Sequence, residues 1–384
     1  MSEDRQLALL FLAERLGPAG QRLALGSLND LRLFERNADE WRAVGLSEKD
    51  AARLADPEGR RGLEERLKRL AALGARIVHC GEASYPYTVS AADRLPPILF
   101  LRGQGAAWRR EGVAVVGSRK PSGYGREVAQ EIGREAAARG VPVISGAAEG
   151  IDTAAHLGAL DARGTTVAVL GFGLFNAYPA SSRELLERIA GQGALVSQFP
   201  PETPPDRPNF PIRNAVIAAL AETVVVVEGV ETSGAGYTAD YARKFGRTLF
   251  AVPGDIGRPQ SALPNRLLAE GAAAVTKPAD PFDPLARAIG AKTRRPAAAR
   301  PSPSGKPAET TPETIATEEL SGLSDLEHLL TDAISAGKQT VDELLAVSQG
   351  DIGQVNAALL ALELKGVVRQ EPGRRYRRRH PPAR

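Results

Sequence analysis

The segment VAVVGSRKPSGYGREVAQEI, residues 113–132, combines an apolar run, a turn of small residues and a helical pattern. The run has the length and β-branched content of a buried strand. The turn holds Gly117, Ser118 and Arg119, whose backbone N–H groups and guanidinium suit an anion at a helix N-terminus. The segment therefore predicts a phosphate-binding loop or, alternatively, a structural turn with a solvated arginine. It lacks the GxGxxG fingerprint, which argues against NAD or FAD.

Five further apolar runs follow, separated by alanine-rich helical stretches. They are VPVIS (141–145), TTVAVLG (165–171), ALVSQ (194–198), TVVVVE (223–228) and TLFAVPG (248–254). Continuous apolar strands that alternate with helices are typical of a parallel sheet covered on both faces. The sequence therefore predicts an α/β fold with a Rossmann-like parallel sheet. Ligands of such sheets bind beyond the carboxyl ends of the strands, where the strand order reverses.

The length of 384 residues is enough for two or three domains. Residues 1–80 predict a small helical module, and residues 81–283 hold the predicted sheet. Residues 284–320 are rich in Pro, Ala, Thr and charge without apolar periodicity, which predicts a disordered linker. Residues 321–384 predict three helices and a hairpin, the order of a winged helix, with a capping box between Thr340 and Glu343.

The composition is that of a soluble globular protein, with 43% hydrophobic and 25% charged residues. The formal net charge of +3 permits a nucleic-acid partner without requiring one. A single cysteine, Cys80, excludes an intrachain disulfide and a cysteine-based metal cluster. Because Glu14 and Arg15 break the N-terminal apolar run, we expect a cytoplasmic protein without membrane contact. No motif in the sequence implies a metal or a cofactor.

The loop after the second predicted strand, SGAAEGIDTAAHLGAL (145–160), also passes from a glycine turn into a helix. Gly146 in this turn is a candidate binding residue. Asp152 and His156 lie four residues apart on the helix, a spacing that permits acid/base chemistry. A helix N-cap for Asp152 and a packed interior position for His156 are the structural alternatives.

The segment PPETPPDRPNFPIRN (200–214) is a candidate for nucleic-acid binding. We expect its prolines to hold it extended, with Arg207, Arg213 and Asn214 around Phe210. Cations interleaved with an aromatic ring suit a single strand, since charge binds the backbone and a ring face stacks on a base. A surface loop anchored to the core by its phenylalanine is the structural alternative.

A second phosphate site is predicted in VVVVEGVETSGAGYTADYARKFGR (224–247). Here Ser233 and Gly234 precede a helix that carries Lys244.

Taken in order, these segments resemble the DNA processing protein A family, also called Smf. The resemblance spans about residues 85–276, and several motifs in consistent order are more specific than one glycine loop. The motifs are YPYTVSAADRLPPILFLRG (85–103), VAVVGSRKPSGYG, VISGAAEGIDTAAHLGAL, VAVLGFGLFNAYP, FPIRNAVIA, SGAGYTADYA and FAVPG. The two ends of the chain resemble the family's usual flanks, a SAM-like helical module and a winged helix.

The resemblance implies a recombination mediator that is not an enzyme. It implies binding of single-stranded DNA in a pocket of the Rossmann-like domain, and a homodimer. It also implies loading of the recombinase RecA in natural transformation while single-strand-binding protein is displaced. By the family's motifs, Arg119, Arg207 and Phe210 are implied as DNA contacts, and Lys244 lies where another basic contact is expected.

Three positions depart from the family pattern. Glu149 stands where a basic residue is usual, Gln198 replaces a common Glu, and Ala215 replaces the second arginine of the FPxRNR motif. An acid near the pocket and the loss of an arginine should weaken attraction for phosphate.

The C-terminal module carries arginines around its predicted wing, among them Arg374 and Arg375. They suit non-specific contact with a nucleic-acid backbone, and protein contact is the alternative role.

An enzyme is the alternative function for the whole chain. Nucleotide phosphoribohydrolases have a related Rossmann-like fold with a GGxGT loop and a catalytic glutamate. In SGAGYTAD (233–240), Ser233 replaces the first glycine of that loop and Asp240 lies where an acid would act.

Overall fold

The computed structural model describes residues 3–28, 32–86, 95–104, 107, 112–284, 325–336, 340–348, 355, 358, 359, 362, 367–371 and 375–378. The chain forms two compact units, Met1–Ala299 and Arg300–Arg384. Apart from Pro284, the predicted linker 284–320 lies outside the described residues.

The first unit begins with helices, as the apolar periodicity predicts. They are α1 (Glu3–Arg15), α2 (Pro18–Ala24), α3 (Ala38–Ala43), α4 (Glu48–Ala55) and α5 (Leu63–Ala72), with 3-10 turns at Leu25–Ser27, Leu33–Glu35 and Pro57–Arg60. Side chains cap two of them: Asn37 accepts hydrogen bonds from the backbone of α3, and Ser47 from that of α4. Residues 8–13 of α1 are all buried, so this helix is enclosed on every side.

A nine-stranded sheet forms the centre of the unit. Its strands are β1 (Ala75–His79), β2 (Ile98–Gly103), β3 (Gly112–Val116), β4 (Val143–Ser145), β5 (Thr166–Leu170), β6 (Ala194–Ser197), β7 (Ala221–Val226), β8 (Thr248–Ala251) and β9 (Ala273–Ala274). They lie in the order β1-β2-β6-β5-β4-β3-β7-β8-β9. The six predicted strands are β3 to β8, and all of them pair in parallel, which confirms the Rossmann-like core. The sequence pattern does not predict β9 or the antiparallel extension by β1 and β2.

Helices cover both faces of this sheet. They are α6 (Gly123–Ala138), α7 (Ile151–Asp161), α8 (Arg183–Gln192), α9 (Asn209–Leu220), α10 (Ala235–Lys244) and α11 (Ala262–Ala269), with 3-10 turns at Ala180–Ser182, Pro259–Ser261 and Asp280–Phe282. Successive residues of β3 point to opposite faces: Val113 and Val115 pack with α6 and α7, and Ala114 and Val116 pack with α9, α10 and α11. Within the described part of the chain, no helix is long and apolar enough to cross a membrane.

The N-terminal helices pack directly on the sheet. They share a hydrophobic core with α8 and with Ile77, Ile98 and Phe100 of β1 and β2. The amide side chain of Gln6 donates to the carbonyl of Ile77 and accepts from its N–H, both at 2.9 Å. Because β1 is an edge strand, this pairing satisfies backbone groups that would otherwise be open to another strand.

Of the predicted winged-helix elements, the described residues of the second unit show two helices and the hairpin, and the third helix is described only at Val355, Ala358, Leu359 and Leu362. Helices α12 (Asp325–Ser335) and α13 (Val341–Ser348) are followed by an antiparallel hairpin of β10 (Val368–Glu371) and β11 (Arg375–Arg378). The capping box of α13 is confirmed, since Thr340 and Glu343 exchange backbone-to-side-chain hydrogen bonds of 2.9 and 3.4 Å. Val355, Leu359 and Leu362 are buried in the module's core.

The interior of the sheet unit contains a neutral histidine. His156 of α7 is fully buried, and its Nδ1 lies 2.6 Å from Oγ1 of Thr166. That hydroxyl already donates to the carbonyl of Val143, so Nδ1 must donate to it. Burial, reinforced by the charge of Arg213, lowers the pKa of His156 to about 3. This confirms the packed interior position, and the residue has no access to a substrate.

We predict that His156 makes the first unit sensitive to acid. The unfolded chain takes up a proton near the ordinary histidine pKa of 6.5, whereas the folded state does so only near 3. Stability is therefore retained above pH 6.5 and falls as the pH drops below it, by about 2 kcal/mol between pH 7 and 5. In His156→Gln this loss should be absent, leaving a flatter pH dependence.

Urea unfolding followed by tryptophan fluorescence measures this, because Trp41 and Trp108 are the chain's only tryptophans and both belong to the first unit. Equal pH dependence in wild type and His156→Gln would contradict the prediction.

Candidate nucleic-acid interface

Loops at the carboxyl ends of β3, β4 and β5 enclose a pocket of about 90 Å³, called here the Phe210 pocket. Its lining consists of Arg119, Gly146, Ala147, Ala148, Glu149, Phe172, Tyr178, Pro179 and Phe210. Three of the predicted residues, Arg119, Gly146 and Phe210, therefore meet in one place although they are distant in sequence.

An aromatic ring and a cation lie side by side in the lining of this pocket. The guanidinium of the exposed Arg119 lies 5.1 Å from the ring centroid of Phe210, within cation–π range. The ring of Tyr178, which is 46% exposed, lies 6.1 Å from that of Phe210. The guanidinium of Arg119 and the rings of Phe210 and Tyr178 thus lie together at the carboxyl ends of the strands.

Phe210 is supported by a helix, which corrects the predicted extended segment. Residues 209–220 form α9, with Pro208 as N-cap and Pro211 in the first turn. Proline is tolerated there because the first N–H groups of a helix have no partner within it. Arg207 is exposed in the turn before α9, and its DNA contact stays a prediction.

Arg213 lies beneath the pocket instead of on its surface. It is 4% exposed, and its guanidinium donates to the carbonyls of Gly146 (2.8 Å) and Val169 and to Oδ1 of Asn214 (3.1 Å). Burial lowers its pKa to about 10, against the opposing charge of Asp152, so it remains a cation at neutral pH. Arg213 therefore holds the ends of β4 and β5 together.

Asp152 does not cap α7, which corrects one of the two structural alternatives. It is already the second residue of that helix, and its buried carboxylate accepts hydrogen bonds from the N–H groups of Gly146 (3.1 Å) and Ala148 (3.4 Å). Burial raises its pKa, while Arg213 and these hydrogen bonds oppose the rise. Its role is to shape the loop that lines the pocket.

The helix N-terminus after Gly117, Ser118 and Arg119 is filled by the protein itself. Glu228 is 5% exposed and accepts hydrogen bonds from the backbone (2.9 Å) and hydroxyl (2.6 Å) of Ser122, the N-cap of α6. This carboxylate occupies the crevice between β3 and β7, where the strand order reverses. Glu228 thus takes the place that a phosphate at the α6 dipole would take, and the pocket lies to one side, over β4 and β5. Binding of a phosphate by Gly117, Ser118 and Arg119 stays a prediction.

The segment after β7 is only partly connected to the pocket. Asn214 donates to the carbonyl of Gly234 at 3.1 Å, and Ser233 lies beside it at the start of α10. Lys244 ends the same helix, about 15 Å away at 1.5 Å per residue. Since this helix runs antiparallel to the strands, Lys244 lies toward the amino ends of the strands. It is therefore not among the residues at the Phe210 pocket.

Sequence reasoning about binding residues missed Tyr178, Phe172 and Pro179. They belong to the loop after β5, within the segment GFGLFNAYP (171–179). The signal was available, because this is a glycine-rich loop at the carboxyl end of a predicted parallel strand.

The arginines of the wing are only partly described. Arg374 lies outside the described residues, and Arg375 begins β11. Arg377 is exposed, while its neighbour Tyr376 is buried in the core of the module. Contact of this hairpin with nucleic acid stays a prediction.

Comparison with protein families matches the sheet and the C-terminal module separately. Residues 76–285 match the family "DNA recombination-mediator protein A". Residues 307–374 match the "DprA winged helix domain".

Individual relatives agree with these matches. The chain is 34% identical over 330 residues to "Protein Smf" of Synechocystis, covering 78% of this chain and 79% of that protein. It is 34% identical over 213 residues to "DNA processing protein DprA" of Bacillus subtilis, covering 55% and 72%. The X-ray structure of DNA processing protein A from Streptococcus pneumoniae superposes with a TM-score of 0.61 at 27% identity, covering 72% of this chain and 96% of that one.

We predict that Gly146 tolerates no side chain. A Cβ atom there would lie 2.5 Å from the Arg213 guanidinium, which is buried and hydrogen-bonded and cannot move aside. Gly146→Ala should therefore lower the free energy of unfolding by about 1–3 kcal/mol in urea titrations.

Gly123→Ala is the matched control, because a Cβ at Gly123 meets no atom within 4 Å. Its stability should stay within about 0.5 kcal/mol of wild type. Equal stability of the two variants would show that Arg213 does not fix the loop.

Proposed function

Because this chain belongs to the DNA recombination-mediator protein A family, we propose that it binds single-stranded DNA at the Phe210 pocket. On this proposal it acts in the cytoplasm in natural transformation and recombination. It protects the strand and helps to load the recombinase RecA on it, as single-strand-binding protein is displaced.

The observation that carries the proposal is the placement of Arg119 over the ring of Phe210, with Tyr178 beside them. Single-stranded DNA offers a phosphate to a cation and a base face to an aromatic ring, whatever its sequence. The exposed Glu149 on the pocket wall repels phosphate, so the backbone should pass on the side of Arg119 and turn a base toward Phe210.

The other predicted residues take supporting parts in this proposal. Gly146, Arg213 and Asn214 fix the backbone around the ring instead of contacting the strand. Gly117 and Ser118 carry Arg119, and the carbonyl of Ser118 accepts the N–H of Ile151 at the start of α7. Arg207 remains a candidate for a flanking phosphate.

We propose binding without catalysis. Among the residues that line the pocket, Glu149 is the one carboxylate, and it is exposed at the wall. Asp152 and His156 are buried below the pocket, and Glu228 is committed to Ser122. The phosphoribohydrolase alternative requires an acid beside a bound nucleotide, and release of base from a nucleoside monophosphate would support it.

A homodimer is part of the proposal. Val230, Tyr237 and Ile256 are 43%, 53% and 96% exposed on neighbouring segments beyond β7 and β8. Exposed apolar side chains favour contact with another protein surface. For the winged helix we favour non-specific contact with the DNA backbone, with protein contact as the alternative.

We predict that Arg119→Ala weakens binding of a labelled single-stranded oligonucleotide by about tenfold and lowers the salt dependence of log K by about 0.7, because one phosphate contact is lost. Fluorescence anisotropy at two salt concentrations measures both quantities. Arg126→Ala is the control, because Arg126 is exposed on α6 but does not line the pocket. Wild-type affinity in Arg119→Ala would exclude the Phe210 pocket as the DNA site.

A second prediction separates stacking from charge. Phe210→Leu keeps an apolar side chain but removes the ring face, so binding should weaken by about 1–3 kcal/mol with an unchanged salt slope. Tyr178→Phe keeps its ring and should bind as wild type does. If Phe210→Leu retained full affinity in the same assay, the ring would be a core anchor only.

A further inference from the structure

A second cavity of about 350 Å³ lies between the helical module and the sheet. We call it the α5–α8 groove, because residues of α5 and α8 line it. Arg102 of β2, Leu195 of β6 and the segment Leu174–Ala177 complete its lining. The groove is about four times the volume of the Phe210 pocket.

Three arginines line this groove: Arg69, Arg102 and Arg183. Arg102 is paired with Glu187 by two hydrogen bonds of 2.8 and 2.6 Å. Arg69 pairs with Glu202 at 3.0 Å, and its guanidinium lies 4.1 Å from the ring centroid of Phe175. The groove therefore repeats the combination of cation and aromatic ring found in the Phe210 pocket.

Arg183 is the arginine of the groove whose charge is available to a ligand. It is exposed at the first position of α8, and among the described residues no hydrogen bond or ion pair of its side chain is found. It lies close enough to Glu187 to lower the pKa of that carboxyl, although Arg102 has the larger effect. Three arginines against Glu187 and Glu202 leave the groove with a net positive charge.

One rigid loop connects the groove to the Phe210 pocket. Phe172, Tyr178 and Pro179 face the pocket, while Leu174–Ala177 face the groove. The loop is fixed from behind, since the N–H groups of Gly173 and Phe175 donate to the carbonyls of Thr203 (2.9 Å) and Pro201 (3.0 Å). The two cavities thus have a fixed spacing, as a polymer with regularly spaced phosphates requires.

We propose that the same DNA strand continues from the Phe210 pocket across Tyr178 into the α5–α8 groove. Arg183 and Arg69 bind its phosphates there, and Phe175 offers a face to a further base. The helical module thereby forms one wall of the DNA site. This inference rests on the function proposed above.

The test compares two labelled oligonucleotides by fluorescence anisotropy, one of about 2 nucleotides that is short enough to occupy only the Phe210 pocket and one of about 20 that spans both cavities. Arg183→Ala should weaken binding of the longer strand about fivefold and that of the shorter less than twofold. The double variant with Arg69→Ala should lose about twentyfold on the longer strand only. Arg53→Ala, at an exposed position on α4 of the same module, is the charge-matched control and should bind both as wild type does.

The outcomes separate this inference from the proposed function. If the double variant binds both lengths as wild type does, or loses equal affinity for both, the α5–α8 groove is not part of the DNA site. A large loss of affinity in Arg119→Ala would still support the Phe210 pocket. Failure of the wild-type protein to bind either length overturns both. Photocrosslinking of iodouracil-substituted strands adds a structural readout: an adduct on the peptide that contains Phe175 should form with the longer strand and not with the shorter.

Discussion

The buried guanidinium of Arg213 is the contact on which the arrangement of the pocket depends. It joins the carbonyl ends of β4 and β5 through Gly146 and Val169, and through Asn214 it reaches the start of α10. Hydrogen bonds to a charged group are stronger than neutral ones, and a buried charge that loses them is costly. Phe210 stands three residues earlier on the same helix, so the arginine that fixes the loops also fixes the ring.

A second constraint decides where a ligand is able to bind on this sheet. In open parallel sheets the favoured crevice lies where strand order reverses, here between β3 and β7. Glu228 fills that crevice with a carboxylate hydrogen-bonded to the N-cap of α6, which is the position a nucleotide phosphate would take. The fold is thus shared with nucleotide-binding proteins, but the open pocket lies over β4 and β5 and presents a cation and two rings.

The sequence predicts the strands and helices better than it predicts the contacts between their side chains. Strands β3 to β8 are read correctly because a strand buried on both faces is a continuous apolar run. β9 has only two residues and carries no such pattern. The prolines near Phe210 mislead because proline fits the first turn of a helix as well as an extended chain. Burial of Arg213 depends on carbonyls 44 and 67 residues away, which no local pattern reveals.

The departures from the family pattern have unequal physical weight. Ala215 packs in the core beneath the sheet, so the missing arginine changes packing there and removes no charge from the surface of the pocket. Glu149, in contrast, is exposed on the pocket wall and opposes phosphate directly. On the proposed path of the strand, attraction for its phosphates comes from cations spread along it, with Arg119 at one end and Arg183 and Arg69 at the other. Because each phosphate contact adds to the salt dependence, a distributed site makes length of the strand, more than its sequence, the main determinant of affinity.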